Sequence, residues 1–438
     1  MSAVLHRLPR HPQVHVALGA MFGASLVATY AGCSSSSPPG ETADAGNPND
    51  ASFAPDVEDD SSNPPGMDSG VPDTSVPPSD ASSGPDAPVA DSGPDAAPVD
   101  CTSEANDGGL VDDLQCTGLY SDWAAKTVDP ANLAYTPGYV LWSDGANKAR
   151  FIYLPPGATI DTSDMDNWTF PIGTKIWKEF RLGTQRIETR LFMKTGPGVL
   201  GWQWTTYRWT ADGESRAERL DNGETMVNGT PYEIPAHGQC LQCHGGRPDM
   251  VLGFDAIALG RSDADSGVTL ATLTAGHRFS ANPPPTVDIP EDTTGKAHAP
   301  IGWLHMNCGV TCHNSTPSAL AEGTGLWLKA SAAQIIAGNG SVKTSDLDPY
   351  KTAVNVTPKM QPFASEGFYR LAPGHPELSL IPTLDSARND PNVPQMPPII
   401  SHIVDTADMN AMKAWIQAMP EPPDAGVEDG GVKDAAGD

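Results

Sequence analysis

Two short cysteine–histidine phrases constrain the fold of this 438-residue chain more than any other feature. QCLQCHGG occupies residues 239–246, and NCGVTCHN occupies residues 307–314. In the first phrase, Cys240, Cys243 and His244 have the C-x-x-C-H spacing of c-type haem attachment. Thiols one helical turn apart can bond one side of a porphyrin, and the next histidine can bind its iron. The sequence therefore predicts that part of the chain folds around covalently attached haem c.

Three other interpretations of the first phrase compete with haem. Cys240 and Cys243 could form a disulfide, or the four cysteines of the two phrases could share one zinc ion. The 64 residues between the two cysteine pairs exceed the spacing of zinc ribbons, which is about 15–20 residues. A thioredoxin-like pair would open a long helix, but Gly245, Gly246 and Pro248 follow at once. Haem is the interpretation that gives the histidine a role.

The second phrase has one more residue between its cysteines than the first. Cys308, Cys312 and His313 fit a second haem if the extra residue forms a local bulge. Gly309 is expected to adopt the unusual backbone dihedrals that such a bulge requires. A disulfide beside an unrelated histidine is the alternative. Residues 297–307 form an amphipathic approach to the phrase, as the N-terminal helix does in a cytochrome c.

Candidates for the remaining iron ligands lie downstream of the second phrase and beside it. Met396 is part of a Met-Pro sequence between a long loop and a helical stretch at 405–420. This order is typical of class I cytochrome c domains. We predict that Met396 is the sixth ligand of the second haem, where a thioether raises the reduction potential, with core packing as the alternative. His305 is a candidate ligand of the first haem, with a helix-surface or core-edge histidine as the alternative.

The half of the chain before the first phrase is predicted to be β-structure. Alternating apolar and polar residues indicate strands at 151–160, 175–182, 186–194 and 202–210. The expected fold class is α+β and multidomain. A β-sandwich or barrel-like domain would span 101–238, and a mostly α-helical, class I cytochrome c-like domain would span 239–420. Six tryptophans of the β domain are expected in its core and rim, with a carbohydrate-stacking platform as the alternative: Trp142, Trp168, Trp177, Trp202, Trp204 and Trp209.

The ends of the chain are predicted to lie outside the folded body. Residues 1–33 are typical of a lipoprotein signal peptide ending in a lipobox-like YAGC. Cys33 would carry the lipid, with an ordinary cleaved signal as the alternative. Residues 34–100 hold fourteen acidic residues and no Lys or Arg, so we expect a disordered acidic tether. Residues 421–438 have a similar composition and are expected to form a disordered acidic tail.

Export from the cytoplasm sets the remaining expectations. Free thiols do not persist in oxidising compartments, so Cys101 and Cys116 are predicted to form a disulfide around a short acidic loop. A lipid on Cys33 would anchor the protein in the cell envelope, at the outer membrane, with its body in the periplasm or at the surface. Of the net charge of −28, about −11 belongs to the body between residues 101 and 420, and an acidic body argues against nucleic acid as a partner.

Several longer phrases resemble an uncharacterised family of secreted bacterial proteins, in which a β domain precedes two c-type haem motifs. The resemblance spans residues 117–419. It is carried by TGLYSDW, LWSDGANKARFIYLPPG, FPIGTKIWKEF, RIETRLF, CLQCH, WLHMNCGVTCHN and RLAPGHPELSLI. It implies that haem is held by Cys240, Cys243, His244, Cys308, Cys312 and His313.

These observations predict a c-type cytochrome lipoprotein, with two haems, that transfers electrons between redox partner proteins of the envelope. No Ser-His-Asp set or phosphate-binding loop stands out in the sequence. A haem-dependent oxidoreductase, such as a two-haem peroxidase, is the first alternative function. A glycan-binding envelope protein is the second.

Overall fold

The computed structural model describes residues 99–102, 109–212, 214–263 and 267–422. The predictions for Cys33, the signal peptide, the acidic tether and the acidic tail lie outside these ranges, apart from residues 99–100 and 421–422. Within the described ranges, no helix has both the length and the apolar character needed to cross a bilayer.

Two antiparallel sheets are present in the described residues. β1 (Tyr120–Asp122) and β2 (Thr127–Val128) form a small ribbon. The larger sheet is a meander of six strands, in which each strand pairs with the next along the chain. Its strands are β3 (Asn132–Ala134), β4 (Asn147–Tyr153), β5 (Lys175–Leu182), β6 (Gln185–Lys194), β7 (Trp202–Trp209) and β8 (Ala217–Arg219).

The alternating sequence pattern located this sheet well. β5, β6 and β7 lie within one residue of the predicted strands, and those predictions are confirmed. The strand predicted at 151–160 begins earlier, at Asn147, and ends at Tyr153. Pro155 and Pro156 follow closely, and proline lacks the backbone N–H that strand pairing requires.

The two faces of the six-stranded sheet belong to different hydrophobic cores. Trp177, Leu191 and Tyr207 point to one side and pack with the N-terminal segment around Leu114. Ile152, Ile176 and Phe192 point to the other side, where they belong to one core with the helical half of the chain. The α+β class is therefore confirmed. Within the described residues, helices rather than a second large sheet cover this face.

The helices of the described residues are short, apart from the last. They are α1 (Cys240–His244), α2 (Ala256–Gly260), α3 (Leu270–Ala275), α4 (His298–Leu304), α5 (Ala332–Gly338), α6 (Asp348–Lys351), α7 (Leu380–Ser386) and α8 (Thr406–Ala418). The predicted closing helix is confirmed as α8, which begins after the cap residue Asp405. Its apolar residues follow a helical period and are buried: Met409, Met412, Trp415 and Ile416.

Helix α4, which leads into the second phrase, packs against both α8 and the β half. The indole N–H of Trp303 on α4 donates to the Asp405 carboxylate at 3.2 Å. Gly302 admits the ring of Tyr139, because a Cβ at Gly302 would lie 1.9 Å from a ring carbon. The Tyr139 hydroxyl then meets His298 Nε2 at 2.7 Å. The β half therefore forms part of the environment of the second phrase.

The loop before β4 holds two distant parts of the chain in place. The side-chain oxygen of Asn307 accepts from the backbone N–H of Trp142 at 2.6 Å, and its amide donates to the Val140 carbonyl at 3.1 Å. The Asp144 carboxylate accepts from the backbone N–H groups of His402 and Ile403 at 3.0 Å. The LWSDG phrase thus joins Asn307, directly before Cys308, to the segment that follows Met396.

Two further expectations for the β half are confirmed. Cys101 and Cys116 form a disulfide with a Cα–Cα distance of 5.2 Å. Four of the six tryptophans considered from the sequence are buried in the cores, namely Trp168, Trp177, Trp202 and Trp209. Trp142 and Trp204 are half-buried, and each indole donates to a backbone carbonyl.

Candidate functional site

The first phrase forms the short helix α1, which ends directly after His244. Gly245 and Gly246 stop the helix, as their low helix propensity predicts. Cys240 and Cys243 lie three positions apart on this single turn, so their side chains share one face of the helix. Neither cysteine is in a disulfide in this structure. Burial raises the pKa of Cys243 to about 11, which is opposite to the activated thiolate of a thioredoxin-like pair.

His244 is held in the orientation that a metal ligand requires. Its Nδ1 lies 2.6 Å from the backbone carbonyl oxygen of Met250. A carbonyl only accepts, so Nδ1 carries the proton and Nε2 keeps its lone pair. The ring stacks on Phe192 of β6 with centroids 4.2 Å apart. Burial, and then the charge of Lys178, lower the pKa of His244 to about 3, so the imidazole is neutral at neutral pH.

The carbonyl of Met250 is fixed by a buried polar network around Asp249. The Asp249 carboxylate accepts from Lys194 Nζ at 2.6 Å and from the Trp202 indole at 2.8 Å. It also accepts from the backbone N–H of Phe170 at 2.5 Å. Met250 itself adopts a left-handed backbone with φ of 57°, which is uncommon outside glycine. The sheet therefore determines where the histidine's hydrogen-bond acceptor lies.

The second phrase accommodates its extra residue by a wider helical turn. A π-helical turn at His305–Gly309 follows α4 directly. Val310 N–H bonds the His305 carbonyl, and His313 N–H bonds the Cys308 carbonyl, both five positions back. The expectation for Gly309 is wrong in its reason, because its φ is not positive. Glycine is needed there because a Cβ would lie 2.4 Å from the backbone of residues 328 and 329.

His313 differs from His244 in its hydrogen bonding. Its Nδ1 is buried and makes no hydrogen bond of ordinary geometry. Burial lowers the pKa of His313, while the nearby backbone of Leu326 acts in the opposite direction. Cys308 and Cys312 are unpaired, and burial raises the pKa of both thiols. The second phrase thus brings together the same three donors as the first.

The two phrases are in direct contact. A Cβ on Gly246 would lie 1.7 Å from the Thr311 carbonyl oxygen, so only glycine fits between them. The Ser318 hydroxyl donates to the Gly245 carbonyl at 2.6 Å. The Cys312 sulfur lies 3.8 Å from the Gln242 carbonyl oxygen. Although 64 residues separate them in sequence, the two phrases form one continuous site.

The side chains beside the first phrase line an open recess. Lys178, Arg190, Cys240, Cys243 and His244 are all partly accessible to solvent. Burial is nevertheless the largest influence on the pKa of each of them. A side chain that is partly accessible to solvent, and whose pKa is nevertheless dominated by burial, is surrounded by protein on most sides and open on one. We call these five residues the motif recess.

His305 is brought close to the second phrase, but its hydrogen bonding does not suit an iron ligand. The ring is buried, and its Nδ1 accepts from the backbone N–H of Ala330 at 3.0 Å. A neutral ring that accepts at Nδ1 carries its proton on Nε2. Burial lowers the pKa of His305 to about 4, so the ring is neutral at neutral pH. In this arrangement His305 has no free lone pair to offer a metal.

Met396 lies in a small apolar cluster beside α7, together with Met360, Phe363, Leu380 and Leu384. Its backbone N–H donates to the Leu384 carbonyl at 3.0 Å. Asp385 follows Leu384 in α7. Burial raises the pKa of the Cys308 thiol, and the nearby charge of Asp385 raises it further. Helix α7 thus contacts Met396 through Leu384 and influences Cys308 through Asp385.

Two other kinds of site were considered in the described residues, namely a metal-binding cluster and a surface pocket. No group of three or more His, Cys, Asp or Glu side chains there has an arrangement suited to a metal ion. A separate surface pocket of about 510 Å³ lies between α7 and α8 and includes Pro382, Thr383 and Lys413. It contains no side chain from either phrase.

The sequence pattern did not reveal Phe192, Met250 or the cations of the recess as parts of this site. Strand alternation offered one signal, because it places Lys178, Arg190 and Phe192 on the same face of the sheet. Comparison of the chain with protein-family models, with curated proteins and with solved structures finds no match.

Proposed function

We propose that the protein is a two-haem c-type cytochrome that transfers electrons between partner proteins of the cell envelope. The single observation that carries this proposal is the direct contact of the two attachment phrases through Gly246 and Thr311. Haems attached to adjoining phrases would be close enough for rapid electron exchange. A relay of this kind needs no substrate pocket.

The residues present fit the implied cofactor. Cys240 and Cys243, and likewise Cys308 and Cys312, would form the thioether bonds, and His244 and His313 would bind the irons. His244 supports this assignment because its Nδ1 hydrogen bond leaves Nε2 available. When bound, haem supplies an iron that alternates between the ferrous and ferric states. Met250 and Phe192 orient His244.

The count of attached haems tests the proposal directly. The full chain is produced in a host with haem-attachment machinery, and its intact mass is measured. We expect two haems in the wild type and one in each of the paired variants, Cys240→Ala/Cys243→Ala and Cys308→Ala/Cys312→Ala. A wild-type chain at its bare polypeptide mass would refute the proposal.

Met396 is proposed as the sixth ligand of the second haem. Met396→Ala should convert one of the two haems to high-spin iron and lower its reduction potential, because a thioether favours the ferrous state. Met360→Ala is the matched control, since it removes the same side chain from the same apolar cluster. An optical spectrum that responds equally to both substitutions would exclude Met396 as a ligand.

A haem-dependent oxidoreductase, such as a two-haem peroxidase, is the second candidate function. The hydrogen bonding of His305 favours it, because the ligand considered for the first haem has its proton on Nε2. An open iron would give a high-spin signal that shifts when cyanide or peroxide is added. A purely low-spin spectrum would favour the electron relay.

Attachment to the membrane is proposed from the sequence of the leader alone. A lipid on Cys33 would place the body of the protein at the outer membrane. Incorporation of labelled fatty acid should be lost in Cys33→Ala and kept in the paired motif variants. Equal labelling of the Cys33 variant would refute the anchor.

A further inference from the structure

A row of hydrogen-bond donors crosses the face of the sheet that looks toward the first phrase. Arg150 of β4 lies opposite Lys178 of β5, and Lys178 lies opposite Arg190 of β6. Tyr135 extends the row at its far end, since its backbone N–H bonds the Arg150 carbonyl. All four side chains share the face that carries Phe192, the residue that stacks on His244. We call Tyr135, Arg150, Lys178 and Arg190 the donor row.

Most of the donor row lacks a partner within the described part of the chain. Nε and Nη2 of Arg150 are buried and make no hydrogen bond, although the residue is only 3% exposed. The Tyr135 hydroxyl is likewise buried and unpartnered. No described hydrogen bond or ion pair involves the side-chain Nζ of Lys178. Buried donors left unpaired cost about 1–3 kcal/mol each, so this arrangement calls for an acceptor.

The charges of the row are also unbalanced. Like charges directly opposite each other on neighbouring strands are destabilising. Of the three cations, only Arg190 has a carboxylate, that of Glu188 at 2.6 Å. Arg150 and Lys178 therefore have no described counterion. Burial, and then the charges of Arg150 and Arg190, lower the pKa of Lys178. Lys148, on the same face, donates instead to the Leu141 carbonyl.

The row lies beside the cysteines and the histidine of the first phrase. After burial, the charge of Arg190 is a further influence on the pKa of Cys240, and Lys178 has the same role for His244. Arg190 and Phe192 are two positions apart on β6, which places them about 7 Å apart along the strand. The unpaired donors thus border the motif recess.

We propose that the donor row binds the two propionate carboxylates of a porphyrin attached at Cys240 and Cys243. This inference rests on the proposed function. Carboxylates would supply both the acceptors that Arg150 and Tyr135 lack and a counterion for Lys178, and guanidinium and phenol groups are suited to carboxylate oxygens. The same chemistry would also accept a diffusible carboxylate. We favour the propionates because the row lies beside the cysteines to which the porphyrin would be bonded.

Lys178→Met tests the proposal in two forms of the full chain. One form is haem-loaded, and the other is a motif-alanine variant in which all four phrase cysteines are alanine. In the motif-alanine form, removal of an unbalanced charge should raise the unfolding temperature by roughly 2 °C or more. In the haem-loaded form, the same substitution should lower it. It should also lower the reduction potential of one haem, since a nearby cation favours the ferrous state.

Lys175→Met is the matched control. It removes the same charge from the same strand, but Lys175 lies on the opposite face and faces Tyr153 and Met193 rather than cations. Its effect on the unfolding temperature should have the same sign in both forms. A Lys178→Met effect of equal sign in both forms, with unchanged potentials, would overturn the proposal.

Two further outcomes separate the sources of the carboxylate. Acetate is added to the motif-alanine form, with chloride at equal ionic strength as the reference. Stabilisation by acetate that disappears in Lys178→Met would assign the row to a diffusible carboxylate and overturn the propionate assignment. A haem-loaded protein without haem at the first phrase would be recognised by mass. That result would refute the proposed function, and with it this inference, before any Lys178 variant is compared.

Discussion

The contact between the two phrases predicts a large effect for one added methyl group. Gly246→Ala would place a Cβ 1.7 Å from the Thr311 carbonyl oxygen, whereas a relaxed contact needs about twice that separation. The obstacle is backbone and cannot rotate away. We expect Gly246→Ala to lower the free energy of unfolding by roughly 3 kcal/mol, at the upper end of overpacking substitutions. Urea unfolding of the full chain measures this change.

Gly238→Ala provides the control for the same substitution near the same helix. Gly238 is exposed, and a Cβ there would meet no atom within 4 Å. This change should be neutral or slightly stabilising, because alanine reduces the entropy of the unfolded chain. In the haem-loaded protein, Gly246→Ala should also weaken the redox coupling between the haems. A Gly246→Ala protein as stable as Gly238→Ala would refute the direct contact.

Three other predictions concern the surroundings of the site. Asp249→Asn should cost about 3–5 kcal/mol in urea unfolding, because it leaves Lys194 buried without its carboxylate. Asp263→Asn, in an exposed pair with Arg261, should change the stability far less. Phe192→Ala should cost about 3–5 kcal/mol by the same assay, whereas the fully exposed Leu200→Ala should stay within about 0.5 kcal/mol. Burial, and then the charges of Arg150 and Arg190, lower the pKa of Lys148 from 10.5 to about 7. Between these pH values the unfolded chain binds more protons than the folded chain. The free energy of unfolding of the motif-alanine form should therefore increase as the pH rises from 7 toward 10. A slope that Lys148→Met leaves unchanged would contradict this origin.

Local sequence patterns predicted the elements that depend on local causes. Strand alternation located β5, β6 and β7, and the helical period of Met409, Met412 and Ile416 located α8 with its buried face. The glycines after His244 were expected to prevent a long helix, and α1 ends there. In each case the residues that form the element also determine its limits.

The parts of the site that were missed depend on long-range register. Lys194 and Asp249 are 55 positions apart, and no spacing rule connects them. The donor row becomes visible only when β4, β5 and β6 are aligned, because Arg150, Lys178 and Arg190 are scattered in sequence. The role expected for Gly309 failed for a similar reason. Glycine is required at position 309 because the backbone of residues 328 and 329 leaves no room for a Cβ, and not because of the dihedral angles of the turn.

The hydrogen bonds of the LWSDG phrase, residues 141–145, make the folding of the two halves of the chain interdependent. Trp142 bonds Asn307 across 165 positions, and Asp144 bonds His402 across 258. Contacts between residues so far apart in sequence form late in folding, because closing a long loop costs conformational entropy. Neither half keeps all of its hydrogen bonds when the other is absent. A fragment that begins at residue 239 would lack Trp142 and Asp144 and should not fold alone.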